Sequence, residues 1–298
     1  MPSSAASPTA IDRSHRTAKG QLLLILSALA FSTAGFFARE APVDLWAMVF
    51  WRNLFGSAAV LPLILVSRGG TSWRSILLLG RWGWATIVAS SFATICFLAA
   101  FAHTSVANVS IIYATAPLMT AFIAWFWLRE KAPRRTICAA VLALLGFAIT
   151  AAGSLDAGTF FGDGLALMMT VSMSLMTVIA RRHGQLPALL TACISSLVAA
   201  SAVLPLGWVS SASFVITWEA MAWLAGFGIM TMAVALPCYL SGAGDVPAGQ
   251  AMLISALEMP FAPLWVWLVF AETPSVASLL GGCVVAFAIL WQLGANPS

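Results

Sequence analysis

Two stretches decide the fold, APLMTAFIAWFWLREKAP (116–133) and MPFAPLWVWLVFAETP (259–274), because they are one plan written twice. Each runs from a proline through an apolar, tryptophan-bearing helix to a glutamate and a second proline that opens the next helix. Proline is tolerated in a helix's first turn, where its missing N–H would be unpaired anyway. Around these stretches the chain matches itself at an offset of 142 residues: Gly20 meets Gly162, Arg39 meets Arg181, Trp125 meets Trp267 and Glu130 meets Glu272. With one residue more, Leu61-Pro62 meets Leu204-Pro205 and Pro117 meets Pro260. Six coincidences at nearly one offset indicate a duplication.

What is duplicated belongs in a membrane. The chain is 61% hydrophobic and 8% charged with a mean hydropathy of +0.97, whereas soluble domains carry about 25% charged residues. So few polar side chains cannot cover a soluble protein of this length, and the missing water-facing surface implies lipid-facing surface. The apolar runs last roughly 20 residues without alternation, which excludes a barrel and predicts helices. Ten spans are expected at 20–38, 45–67, 79–101, 106–128, 133–152, 162–180, 187–208, 219–241, 246–270 and 274–293. Residues 1–18, rich in Ser, Ala and Pro, read as a disordered cytoplasmic tail. The segment around 68–80 reads as a partly interfacial loop.

Charge sets the orientation. Arg13, Arg16, Lys19, Arg68, Arg74, Arg81, Arg129, Lys131, Arg134, Arg135, Arg181 and Arg182 fall on one side of a ten-span arrangement. Asp44, Asp156, Asp163, Glu219 and Glu272 fall on the other, with Arg39 its one clear basic residue. Basic loops stay inside, so both termini are expected in the cytoplasm, with the chain in a bacterial-type inner (plasma) membrane. The net charge of +4 is spread over helix ends and forms no nucleic-acid surface. Five isolated cysteines (96, 138, 193, 238 and 283) offer neither a disulfide framework nor a metal site, and no cofactor is expected.

Because each half has five helices, the second must enter the membrane from the opposite side. The expected fold is an all-α integral membrane protein of two inverted five-helix repeats, 19–154 and 160–295. Inverted repeats of this kind build many secondary transporters, with the substrate between the halves near the midplane. Arg52 in WRNLF, the segment ISALEMP (254–260), the Pro…Trp…Glu endings of helices 4 and 9 and Gly281-Gly282 also resemble the drug/metabolite transporter superfamily, specifically its EamA family. Within it the Trp-rich chain is most similar to YddG-type exporters of aromatic amino acids. The resemblance implies a transporter that alternates access between its two halves.

Two residues break the internal symmetry. Glu258 is the one acid well inside a span, and Arg52 is a cation about seven residues into helix 2; neither has a charged counterpart in the other half. A charge near a helix centre costs at least about 2.5–3.5 kcal/mol, so it faces a cavity or a partner. Glu258 could bind a substrate amine or a proton, or be a structural carboxylate paired with Arg52 or capping a broken helix. Arg52 could hold a substrate carboxylate or lock helix 2. The substrate-lining candidates are Ser32, Thr33, Arg52, Thr94, Asn108, Tyr113, Ser174, Tyr239, Ser255, Glu258 and Trp265, with Glu258 also the candidate for proton coupling. Trp125, Trp127, Trp265, Trp267 and the methionines of 168–176 are candidates for an adaptable apolar pocket. Prolines 117, 237, 260 and 263 are candidate kinks. His103 reads as an interfacial group.

The expected function is export of small amphipathic metabolites, amino acids and aromatic ones among them, with a small-molecule substrate and membrane lipid as partners. A carrier of sugar nucleotides or phosphorylated metabolites would want several cations in its cavity. A membrane-embedded enzyme would want clustered acids, a Ser/His pair or metal ligands, and this chain spreads three histidines over ends and tails. The small residues of helices 5 and 10 (Ala139, Ala140, Ala143, Gly146, Gly281, Gly282) predict close packing, either within the chain or in a homodimer.

Overall fold

Among the described residues, six helical runs are long and apolar enough to cross a bilayer: Leu45–Leu65, Gly80–Ala100, Phe160–Arg182, Ala188–Val209, Trp218–Asp245 and Ala248–Val269. Two shorter apolar helices, Ala116–Leu128 and Leu279–Leu293, accompany them. The computed structural model describes residues 10–41, 43–66, 79–104, 106–151, 160–183, 187–210, 213–270 and 276–294, and among them there is no strand. Arg68, Arg74, Asp156, Glu272 and the expected interfacial loop lie wholly or largely outside the described residues.

In the first half, α1 (Ala10–Ser32) and α2 (Ala34–Glu40) lead to α3 (Leu45–Val66), α4 (Gly80–His103), α5 (Val106–Ala114), α6 (Ala116–Leu128) and α7 (Arg134–Ala151). In the second come α8 (Phe160–Arg182), α9 (Ala188–Val209), α10 (Trp218–Gly228), a π-helical stretch (Ile229–Ala235), α11 (Leu236–Asp245), α12 (Ala248–Ser255), α13 (Glu258–Phe270) and α14 (Val276–Leu293).

Three expected spans are broken. Helix 1 is interrupted at Thr33, helix 4 at Thr115, and helix 9 at 256–257. The cause at both threonines is the same. The N–H and hydroxyl of Thr115 both reach the Ile112 carbonyl (3.1 and 2.6 Å), and those of Thr33 both reach Ala30 (3.3 and 2.7 Å). A carbonyl three residues back is thereby taken by a tight turn, and the helix restarts. Pro117 and Pro260 then sit in the first turns of α6 and α13, where they cost nothing. Ahead of Pro237 the adjustment is a π-helical stretch instead of a break, pinned by Ser27 Oγ donating to the Ala235 carbonyl at 2.9 Å. α1 starts at Ala10, within the stretch expected as tail, and no Pro or Gly falls between Thr9 and Gly20 to stop the helix.

Glycines set the closest approaches. A Cβ on Gly162 of α8 would lie 2.6 Å from the His103 carbonyl carbon and 2.7 Å from Thr104. A Cβ on Gly20 of α1 would lie 2.9 Å from both Asp245 and Val246. Both partners in the second contact are 142 residues from those in the first. Elsewhere α3 packs along α9, α7 along α14, and α6 against α12. Helices 5 and 10 therefore pack on each other within the chain. A Cβ on Gly146 would stand 2.8 Å from the Gly281 carbonyl, and Gln292 donates to Thr136 at 3.0 Å.

Candidate functional site

The broken helices bring the polar candidates together. Glu258 is the first residue of α13, immediately beyond the break, so its carboxylate stands at the positive end of a half-helix. Its hydrogen-bond partner is Tyr113 of α5, two residues before the break in helix 4. Tyr239 of α11 lies within electrostatic reach of both. The chain has only two tyrosines, and both converge on its one deep carboxylate.

Beneath this pair lies a buried layer. The Tyr239 hydroxyl is hydrogen-bonded to Thr177 of α8 and touches Met252 Sδ of α12 at 4.0 Å. Thr177 donates its own hydrogen to the Met173 carbonyl at 2.7 Å. Ser174, fully buried, points at the Ala116 carbonyl at 3.5 Å, just beyond the helix 4 break. Ser255, also buried, turns back to Ala251 at 3.1 Å. On the other flank Trp265 Nε1 donates to Ser32 Oγ at 2.8 Å, tying α13 to the end of α1 beside Thr33. Tyr113, Thr33, Thr115, Glu258 and Trp265 are partly accessible. Thr94 is half-buried on α4 next to Ala93, which belongs with Cys96 and Met169 to a cluster that Tyr113 packs against. The Asn108 side chain lies outside the described residues.

Arg52 does not join this site. It is 3% exposed with its guanidinium 4.7 Å from the Phe227 ring centre, and its Nε has no hydrogen-bond partner. It belongs to an aromatic cluster of α2, α3 and α10, where Phe37 stacks on Phe227. A cation over a ring face recovers about 2 kcal/mol when desolvated. Glu258 is therefore not held by Arg52, and neither is a partner of the other. Two of the pocket tryptophans are also displaced from the expected place: Trp125 is 50% and Trp267 48% exposed, on the outer surface. Residues two apart on a helix point about 200° apart, so a helix that turns Trp265 inward turns Trp267 out.

At the opposite end of α6 and α12 the packing is tight. Ala124, Val178 and Ala248 meet there, and Arg181 joins Glu130 at 3.6 Å and the Gly244 carbonyl at 3.2 Å. A small pocket beside this contact is lined by Glu130, Thr136, Gly249 and Gln250. Nearby, Trp82 stacks on His183 with centroids 5.2 Å apart and leans on Trp127 at 5.0 Å. Burial, then Arg182 and Arg81, lower the His183 pKa below its usual 6.5.

Sequence reasoning missed Met252, Thr115 and Ser27. Thr115 had a signal, a hydroxyl residue two before a proline inside an apolar run. Ser27 and Met252 had none.

Discontinuous helices meeting around a half-buried carboxylate are the arrangement of many membrane transporters. The chain belongs to the EamA-like transporter family, whose pattern it matches twice, over residues 18–152 and 160–293. It is a multi-pass membrane transporter and not an enzyme. An uncharacterized transporter of Archaeoglobus fulgidus is 26% identical over 277 residues, covering 91% of this chain and 95% of that protein. The pseudopaline exporter CntI of Pseudomonas aeruginosa is 21% identical over 286 residues, covering 91% and 94%. A solved crystal structure shares the fold with a TM-score of 0.77 at 16% identity, covering 94% of this chain and 97% of that one.

Proposed function

We propose that this transporter exports small amphipathic metabolites that carry an amine, amino acids and aromatic ones among them, by alternating access of two inverted halves. The observation that carries the reading is the Tyr113–Glu258 pair at the junction of the broken helices, with no cation beside it among the described residues. A half-buried carboxylate with a single hydroxyl partner has room for a substrate ammonium or a proton. Trp265, Met173 and Phe261 supply partly buried apolar surface nearby. The CntI relative, named as an exporter of pseudopaline, supports outward transport of a small metabolite. Similarity to YddG-type exporters rests on tryptophan content alone. A phosphorylated substrate fits poorly, since Arg52 is committed to Phe227.

Ten crossings with both termini inside are the reading that the basic loops support, and the contact pattern agrees with two related halves. The Gly162–His103 and Gly20–Asp245 contacts exchange when each residue moves by 142 positions, as two related halves require. On this orientation α6 on α12 and the Arg181–Glu130 pair close the cytoplasmic side. No comparable packing joins α5 to α13 on the outer side among the described residues. On this orientation the close contacts lie on the cytoplasmic side of Glu258. The test is exchange of radiolabelled amino acids in proteoliposomes, with unlabelled competitors and an imposed pH gradient. Absence of amino-acid exchange by folded protein refutes the substrate class.

A further inference from the structure

The hydroxyls and N–H groups around Glu258 can be followed hydrogen by hydrogen. A hydroxyl has one hydrogen to give and two lone pairs to accept with, and an indole has one hydrogen and no lone pair to offer. Thr33 gives its hydrogen to the Ala30 carbonyl at 2.7 Å, and Thr115 gives its own to Ile112 at 2.6 Å. Ser32 donates to Leu29 at 2.7 Å, so it accepts from Trp265, whose sole hydrogen is spent there. Thr177 donates to Met173 at 2.7 Å, so the Tyr239 hydroxyl must be the donor in their shared bond. Ser255 donates to Ala251. Tyr113 donates to the Glu258 carboxylate. Arg52 is turned away over Phe227.

We propose that the residues followed here form an acceptor face for a ligand ammonium, in which none of these side chains holds the ligand's carboxylate. The side-chain hydrogens of Thr33, Thr115, Ser32, Trp265, Thr177, Tyr239, Ser255 and Tyr113 are each spent on a neighbour, while the lone pairs of Thr33, Thr115, Tyr113 and the Glu258 carboxylate remain on partly accessible residues. A ligand anion arriving here meets oxygen. An ammonium meets the Glu258 carboxylate with the Tyr113 oxygen on it, and its hydrogens are donors to those acceptors. The amine is therefore the recognised group, and the decarboxylated amine is as good a ligand as the parent amino acid. This rests on the reading of the Glu258 site as the substrate site.

Three probes separate the possibilities on the purified full chain by titration calorimetry: phenethylamine (amine only), phenylalanine (both groups) and 3-phenylpropionate (acid only). The expected order is phenethylamine equal to or tighter than phenylalanine, with 3-phenylpropionate weaker by at least about tenfold, the scale of one charge-assisted bond. Glu258→Gln, which brings an N–H donor into the ring, is expected to cut phenethylamine affinity at least tenfold and narrow or invert the order. Tyr113→Phe removes one acceptor oxygen along with the donor to Glu258, so it is expected to weaken phenethylamine binding while keeping the order of the three probes. Binding of 3-phenylpropionate as tight as that of phenethylamine overturns the proposal and points to anion donors beyond the side chains followed here. If phenylalanine is exchanged in proteoliposomes in that case, the export reading survives alone. Phenethylamine binding without any amino-acid exchange keeps the acceptor site and ends the export reading. Failure of all three probes to bind overturns both.

Discussion

Tyr113 of α5 hydrogen-bonds Glu258 of α13 across the gap between two interrupted helices, one from each half of the chain. The bond joins residues that flank equivalent breaks, at 115 and at 256–257. Replacing Tyr113 with Phe leaves the carboxylate one donor short. Loss of stability of about 1–2 kcal/mol is expected, read as a lower unfolding temperature in detergent. Tyr113→Ala should cost more, because Met169, Ala93 and Cys96 lose the ring they pack against.

The two glycine contacts predict unequal effects. Gly162→Ala drives a methyl into the main chain of His103, whereas Gly20→Ala meets the side chains of Asp245 and Val246 first. Overpacking of this kind costs about 1–3 kcal/mol, and Gly162→Ala is expected at the upper end with Gly20→Ala below it. Thermal unfolding of the two variants side by side checks the order.

Arg181 links the ends of α8, α6 and α11 through Glu130 and Gly244. The pair is partly exposed, and such pairs are worth about 0.2–1 kcal/mol. Glu130→Gln should therefore shift the balance toward cytoplasmic opening by no more than about fivefold. Labelling of Gln250→Cys in a cysteine-free background, from the cytoplasmic side, should speed up by that factor. No change would remove the pair from the closure.

His183 stacks on Trp82 with Arg182 and Arg81 nearby, and burial is the main force lowering its pKa from 6.5. A base with a lowered pKa in the folded chain takes up its proton more readily when unfolded, so protonation favours unfolding. The contribution is present above pH 6.5 and is lost as pH falls through the lower folded value. His183→Gln should flatten the fall in unfolding temperature on the acid side of pH 6.5, measured against the parent over the same pH series.

Much of the architecture was legible because lipid imposes it. Apolar runs, basic loops and the 142-residue offset follow from composition and register, and the family match covers both copies. Proline positions marked the breaks near 117 and 260. The break at Thr33 had no proline, since a hydroxyl competing for a carbonyl leaves no pattern beyond a common residue in a helix. Glu258 was visible as a charge in an apolar run, but its partner was not, because Tyr113 lies 145 positions away and Arg52 was an equally good candidate by charge. Trp125 and Trp267 were misplaced for a related reason: hydropathy does not tell lipid from pocket, as both are apolar.

The contact of α6 with α12 has an electrical consequence. On the proposed orientation this contact seals the cytoplasmic half, and water reaching Glu258 from outside would leave the membrane voltage falling mainly across the sealed half. Glu258, at the start of α13, then sits near the outside potential, and a charge bound there has crossed most of the field from the cytoplasm. Moving one charge through the whole field is worth about 2.3 kcal/mol per 100 mV. An inside-negative membrane therefore opposes outward passage of a net ammonium charge, and a proton taken inward on Glu258 in exchange would cancel it.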